Sequence, residues 1–227
     1  MSTPQKTVGR KVFITGGTGY IGSRLIPLLA GQGHEVNALV RPGSESKLPA
    51  GVTPVAGDAL KMDSYMEAVR GVDTFIHLIG VAHPSPSKAA EFRAIDLVSI
   101  EVATAAARAA GVRHFIYLSV AQPAPMMKEY QAVRAAGEAM LRATGIPATF
   151  VRPWYVLGPG HRWPYLIRPF YWLCERLPAT REGAKRLALV TLPQMLHTLV
   201  WTVAHPPAEV QILDVPRIKE LGTRPNN

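Results

Sequence analysis

Residues 11–22 read KVFITGGTGYIG, and this stretch decides the fold class. Lys11–Thr15 is a β-branched and aromatic run with strand character, and Ile21, Leu25, Leu28 and Leu29 then recur at helical spacing. Strand, tight turn and helix therefore follow one another directly. Gly16-Gly17-Thr18-Gly19-Tyr20-Ile21-Gly22 satisfies GxGxxG from Gly17 and GxxGxxG from Gly16. Glycine is needed at such a junction when the chain turns tightly, its backbone approaches a pyrophosphate, and the helix packs close to the strand. The helix N-terminus then offers free N–H groups and a positive dipole end. The stretch predicts a dinucleotide site built from Gly16, Thr18, Gly19, Tyr20, Ile21 and Gly22; a bare tight turn is the competing explanation.

Outward from this loop, Gly31-Gln32-Gly33 stops the helix, Glu35–Val40 reads as a second strand, and Arg41-Pro42-Gly43 ends it. One βαβ unit is complete in about 30 residues. The alternation predicts a strand near Val55, a helix over Asp63–Arg70, a strand over Thr74–Ile79 and a long Ala-rich helix over Ala89–Ala110. A strand His114–Leu118, a helix Met127–Ala143 and a strand Thr149–Val151 follow. Several strands are apolar on both faces, so the expected fold is α/β, a doubly wound parallel sheet of the Rossmann kind with a small C-terminal lobe. The lobe would hold a helix Tyr171–Leu177, a strand Leu187–Val190, a helix Gln194–Ala204 and a strand Val210–Val215. The expected organisation is a tail over 1–9, a core over 10–152, the lobe over 153–221 and a tail over 222–227. The lobe is too short for a core of its own and is expected to close over the ligand edge of the sheet.

Composition narrows the function classes. A chain of 227 residues, 48% apolar and 18% charged, affords one sizeable core and is not disordered as a whole. The net charge of +9 favours an anionic ligand or surface. The single cysteine, Cys174, excludes an internal disulfide and a Cys-rich zinc site, and points to a reduced, cytoplasmic setting. Met1–Lys11 has no apolar run of the signal-peptide kind, and the apolar stretch Leu187–Ala204 is interrupted by Pro193, Gln194 and His197, so no transmembrane span is expected. The histidines do not cluster at ligand spacing, and no metal site is expected. His77 is expected to be a satisfied core residue, and His83 a candidate for touching substrate.

The nucleotide's identity turns on the end of the second strand. An acidic residue about 20 positions after the glycines would bind a ribose 2′-hydroxyl, whereas an arginine accommodates a 2′-phosphate. Arg41 stands there, with no carboxylate until Glu45. NADP(H) is therefore expected over NAD(H), a solvated strand-end cation being the other role open to Arg41.

Further motifs are GGTGYIG (16–22), Gly57-Asp58, HLIGVAH (77–83), YLSVAQP (117–123), Tyr130 through Glu138, and ATFVRPWYVLGPG (148–160). With these the chain resembles the extended or atypical branch of the short-chain dehydrogenase/reductase superfamily over nearly all of residues 10–215. The resemblance implies that Asp58 meets the adenine amino group, that Leu78 to Gly80 line the adenosine ribose, and that Pro153 and Trp154 flank the nicotinamide. A helix cap for Asp58 and plain packing for Trp154 are the competing roles. The superfamily's chemistry uses a serine, a tyrosine and a lysine four residues after the tyrosine; Ser119 and Tyr130 take the first two places, and Arg134 stands where the lysine would be. Tyr130 and Arg134 share a helix face at i and i+4. Arginine keeps the charge but not a lysine's contacts with the ribose or its proton relay, and the pair could equally be a cation on an exposed ring.

The implied function is an NADP(H)-dependent oxidoreductase acting on a small carbonyl or related substrate. The alternative is a non-catalytic NADPH-binding structural or redox-sensing module. The run PWYVLGPGHRWP with Arg134 is similar to the branch related to the NADPH-binding accessory subunit of respiratory complex I, where the nucleotide is held and not turned over. Residues 152–186 carry Arg152, Arg162, Arg168, Arg176, Arg181, Lys185 and Arg186 against Glu175 and Glu182, interleaved with aromatics. That mixture suits a membrane interface, a protein contact or an anionic pocket. Nucleic acid is not expected, since no helix-turn-helix or RNA-binding signature is present.

Overall fold

The computed structural model describes residues 9–159 and 186–223. Its main sheet contains β1 (Lys11–Thr15), β2 (Glu35–Val40), β3 (Thr53–Ala56), β4 (Thr74–His77), β5 (His114–Leu118), β6 (Ala148–Val151) and β9 (Val210–Leu213). The order is β3-β2-β1-β4-β5-β6-β9, with every neighbouring pair parallel. A second, two-stranded parallel sheet joins β7 (Tyr155–Leu157) to β8 (Leu189–Thr191).

Period-two alternation sends neighbouring residues to opposite faces. Val12, Ile14, Ile76, Ile116 and Val151 join α1 (Gly22–Gly31) through Leu25, Ile26 and Leu29. Phe13, Phe75, Phe115 and Phe150 face the other way, onto α4 (Val98–Ala109) and α5 (Lys128–Thr144). Phe13, Phe75 and Phe115 lie in register across β1, β4 and β5, with ring centroids 5.1 and 4.9 Å apart. Such in-register aromatic pairs fix strand pairing as well as filling space.

The C-terminal residues 186–223 join this body. Residues of α6 (Leu192–Ala204) and α7 (Val215–Leu221), among them Met195, Leu199, Ile218 and Leu221, belong to the same cluster as Val12 and Ile14, and β9 extends the main sheet. The start of α6 is a capping box, Thr191 Oγ1 accepting from Gln194 N while Gln194 Oε1 accepts from Thr191 N. The expected helix Tyr171–Leu177, Cys174, most of the basic aromatic segment, and residues 1–8 and 224–227 lie outside the described residues. Among the described residues no helix is long and apolar enough to cross a membrane.

Several elements differ from expectation. The helix expected over Asp63–Arg70 is a 3-10 turn, Met62–Ser64, followed by the single turn α2 (Met66–Val69). Ser64 Oγ accepts from Asp58 N and lies within hydrogen-bond reach of the Asp58 and Lys61 carbonyls, a local competition that shortens helices. β4 stops at His77, short of the expected Ile79, and the last strand stops at Leu213. The long Ala-rich helix is built from α3 (Ala89–Glu91), a π-helical stretch Phe92–Leu97, and α4. Strand β7 and helix α7 were not expected.

Two buried histidines give the fold a pH dependence. His77 shares hydrogen bonds with Thr15 Oγ1 at 2.9 Å and Ser99 Oγ at 3.3 Å, the satisfied core position expected of it. Burial, helped by Arg134, lowers its pKa to about 3; burial, helped by Arg10, lowers that of His114 to about 4. Both are therefore neutral in the folded chain, whereas an unfolded histidine takes up a proton below about 6.5. Their stabilisation is complete above that value and is lost as pH falls. By pH 4.5 each should cost about 2.5 kcal/mol, and Tm should drop by about 10 °C from its value at pH 7. His77→Gln should remove about half of that dependence and leave the part carried by His114; an unchanged wild-type Tm across that range would contradict the account.

Candidate functional site

In this strand order the chain leaves β1 toward β2 and β3 and returns beside it as β4, so a crevice opens at the C-terminal ends of β1 and β4. The glycine loop sits there. Gly16 has φ of +80°, and a Cβ on it would lie 3.0 Å from the backbone carbon of Leu78, so the loop is pressed against the end of β4. A Cβ on Gly22 would run into the Gly16 carbonyl oxygen and stand 2.8 Å from Gly17 Cα, which is why the helix can pack so close to the strand only with glycine. Gly19 differs: its Cβ would meet only the Gly16 oxygen, at 3.2 Å. A side chain at Gly19 would require that oxygen to give by a few tenths of an ångström, far less than at Gly16 or Gly22, and the glycine leaves room at the helix start. That start has no side-chain cap and no acidic residue in its first turn; Ser23 N already donates to the Gly19 carbonyl and Arg24 N to that of Ile21, and the positive dipole end there suits an anion. The loop fits a pyrophosphate.

The crevice is a cavity of about 470 Å³. Of the expected residues it brings together Gly16, Thr18, Arg41, Asp58 and Gly80. Arg41 is exposed at its rim and makes no ion pair among the described residues. Asp58 accepts from Leu60 N at 3.0 Å and lies 3.9 Å from Lys61, so it caps the following turn as well as lining the crevice. Leu78 and Ile21 pack against the core beneath the loop instead of lining the cavity. Sequence reasoning missed Lys88, at the end of the 3-10 turn Pro86–Lys88, and Ile95, in the π-helical stretch, which wall the crevice; nothing in their local pattern signals it.

A second cavity, of about 550 Å³, lies alongside. Thr18 and Ala82 wall the first cavity; Tyr20 and His83, each close by in sequence, wall the second. Tyr130 and Trp154 face it together with Pro84, Pro86, Val120, Met126, Met127 and Val156. Tyr130 is half-buried, its ring 5.0 Å from that of Phe92. His83 and Met127, at φ of 49° and 60°, are the non-glycine residues with positive φ among those described, and both line this cavity. Each such backbone costs on the order of 1 kcal/mol and persists only where the surroundings enforce it. At Met127 the enforcer is Gln131, whose amide accepts from Ala124 N at 2.8 Å and donates to the Ala124 and Met126 carbonyls at 3.0 and 2.5 Å.

Residues 16–161, more than half of the chain, match the model of the NAD(P)H-binding family. The chain belongs to the NAD(P)H-binding family. A ceramide reductase of Caulobacter vibrioides is 33% identical over 151 residues, covering 66% of this chain and 47% of the relative. A 4-hydroxy-2-methyl-3-oxo-4-farnesyl-3,4-dihydroquinoline-1-oxide ketoreductase of Stigmatella aurantiaca is 26% identical over 170 residues, covering 65% of this chain and 51% of the relative. The chain thus spans about half the length of these curated relatives. Among solved structures, the enzyme WbmH of Bordetella bronchiseptica in complex with NAD+ superposes with a TM-score of 0.68 at 22% identity, over 95% of this chain and 80% of that one. MoeE5 in complex with UDP-glucuronic acid and NAD gives 0.68 at 19% identity, over 93% and 81%. Both likenesses establish the Rossmann fold.

In this NAD(P)H-binding protein the three residues aligned with the superfamily's chemistry are not assembled together. Tyr130 faces the cavity, but Ser119 is buried and donates to Glu138 Oε1 at 2.6 Å. Glu138 also accepts from Gln122 at 3.2 Å and from Arg152 Nε at 2.8 Å, and pairs with Arg152 Nη2. The next residue, Val120, takes the place on the cavity wall where a serine hydroxyl was expected. Arg134 is equally occupied. It donates to the Ile79 and Leu118 carbonyls at 3.1 Å and to Asp96 Oδ1 at 2.6 Å, with only 3% of its side chain exposed. Asp96 Oδ2 accepts from Val81 N at 3.0 Å; burial pushes its carboxyl up, against the pull of Arg134. A Cβ on Gly80 would strike the Arg134 guanidinium, so Gly80 is the glycine that lets this cation lie under the β4 exit. Arg134 lines neither cavity, and its expected place at the cofactor becomes a buried clamp joining the ends of β4 and β5 to the π-helical stretch. Its carbon Cζ also lies 5.0 Å from the Tyr130 ring centre, so the cation on a ring is present too. The sequence signal for the clamp was Asp96 inside an apolar helical face.

Proposed function

We propose that this protein is an NADP(H)-dependent oxidoreductase in which Tyr130 is the acid or base at the oxygen of a carbonyl or alcohol substrate. The observation that carries the proposal is the placement of Tyr130 on the wall of a cavity that adjoins the glycine-loop crevice. Gly16, Thr18, Gly19 and the start of α1 would hold the pyrophosphate, Asp58 and Gly80 the adenosine, and Arg41 the 2′-phosphate, with Pro153 and Trp154 beside the nicotinamide. The bound dinucleotide supplies or accepts a hydride. Tyr130 gives the substrate oxygen a proton in reduction and takes it back in oxidation. The reductase names of the relatives support a reaction of this class. A reduced, cytoplasmic setting and a peripheral contact through 152–186 belong to the proposal on sequence grounds alone.

A second function is favoured by the occupied hydroxyl of Ser119 and the occupied charge of Arg134: a protein that holds NADPH without turning it over. The two separate on whether NADPH is oxidised when a carbonyl panel is supplied.

The 2′-phosphate assignment has its own test. A charge-assisted contact of Arg41 with that group is worth about 1.5–3 kcal/mol, so NADPH should bind at least about tenfold more tightly than NADH. Arg41→Ala should erase the preference in calorimetric titration. Equal affinities in the wild type would assign Arg41 to solvent.

A further inference from the structure

The wall of the second cavity is chemically one-sided. Pro84, Pro86, Val120, Met126, Met127 and Val156 are apolar, and no Lys, Arg, Asp or Glu lines it among the described residues. Among the described residues the cation packed against Tyr130 is Arg134, whose charge is already met by Asp96 and two carbonyls. Among the described residues of these walls an anionic substrate would find no Lys or Arg to meet its charge, and it would leave its water behind at a large cost. The polar groups that do reach the cavity among the described residues, Tyr20, His83, Ser85, Tyr130 and Tyr155, are hydrogen-bonding groups that can meet a substrate oxygen. Its size lies within the range that encloses a drug-sized ligand.

Two further features point the same way. Met126 is 60% exposed at the cavity mouth, and Met127 beside it is held in the left-handed region by the three hydrogen bonds of Gln131. The backbone is thus held in an unfavoured conformation at a pair of thioethers, side chains that adapt to irregular apolar shapes. Val120 lines the wall while the hydroxyl expected at the site, that of Ser119, turns away to Glu138, leaving Tyr130 to meet the substrate oxygen.

We propose that this cavity takes an uncharged lipophilic ketone or its alcohol, its alkyl body against Met126, Met127 and Val156 and its oxygen at Tyr130. The position of the oxygen rests on the oxidoreductase function proposed above; the class of the body rests on the wall alone.

The test measures binding apart from turnover. Methyl ketones with alkyl chains from butyl to undecyl are titrated into the full chain without nucleotide, with tryptophan emission as the readout and Trp154→Phe as the control for its origin. Burial of each methylene should tighten binding by about fourfold until the cavity is filled. A keto acid of matched chain length should bind at least tenfold more weakly than the ketone. Met126→Asp, at an exposed position the fold tolerates, should weaken the longest ketone at least tenfold and the shortest little. Affinity independent of chain length, or preference for the keto acid, overturns the proposal even where NADPH is oxidised with other carbonyls. Chain-length-dependent binding with no oxidation of NADPH would uphold the cavity's ligand class and overturn the oxidoreductase function instead.

Discussion

Tyr130→Phe should lower kcat by about 10²–10⁴ while leaving NADPH affinity within a few-fold. The phenol's proton is the one that a carbonyl oxygen at this wall can receive from a residue aligned with the superfamily's chemistry. The Ser119 hydroxyl is turned away, donating its hydrogen bond to Glu138, and Arg134 is buried under Gly80. Phenylalanine keeps the ring that packs 5.0 Å from Phe92 and over the Arg134 guanidinium, so the fold and the crevice should be preserved. The loss should therefore fall on the chemical step and not on stability. A variant that turns over as fast as the wild type would place the proton donor elsewhere in the cavity, and a wild type that never oxidises NADPH would favour the holding function.

Arg134→Met should destabilise the fold by about 3–5 kcal/mol, because it leaves Asp96 buried with Val81 N as its remaining partner from outside its own helical stretch. The effect should reach the nucleotide as well: the carbonyl of Ile79 and the N–H of Val81, which the pair holds, flank Gly80 on the crevice wall. Adding Asp96→Leu should recover much of the lost stability, since a pair removed whole leaves no unpaired charge. The structure also changes what is expected of Arg134→Lys. As a restoration of the superfamily's usual residue it would preserve or raise activity. In this fold one ammonium cannot reach Ile79, Leu118 and Asp96 in the planar geometry of a guanidinium, so the lysine variant should be less stable than the wild type. Denaturant unfolding of the single and double variants measures both effects. Full stability of Arg134→Met would mean that the pair is idle.

The sheet was legible because its signals are local. Glycines at fixed spacing, β-branched runs and helical apolar spacing each lie within a dozen or so neighbouring residues, and β1, β2 and β5 fall where their sequences put them. The glycine loop, Arg41 and Asp58 were legible for the same reason, each sitting at an offset set by one βαβ unit. What escaped depends on pairs far apart in sequence. Whether Ser119 faces the cavity or Glu138 depends on a hydrogen bond across 19 residues, and whether Arg134 reaches a cofactor or Asp96 on one across 38. A motif carries residue type and spacing but not the direction a side chain takes, and Ser119 and Val120, adjacent in the chain, take opposite ones. The helix α7 is a different case. Asp214 caps it by accepting from Arg217 N at 3.1 Å, and proline stands in its first turn, a local N-terminal signature that the strand expected to run to Val215 had hidden.

If the loop 16–22 holds a dinucleotide pyrophosphate, Gly19→Val should abolish nucleotide binding and spare the fold. A Cβ at that position would meet the Gly16 oxygen at 3.2 Å, which has to give by a few tenths of an ångström, while the branched side chain fills the space left at the start of α1. Calorimetric titration with NADPH, with circular dichroism recorded on the same sample, should show binding lost by at least a hundredfold and a spectrum like that of the wild type. Micromolar NADPH binding retained by a folded Gly19→Val protein would contradict the assignment and make the loop an ordinary turn.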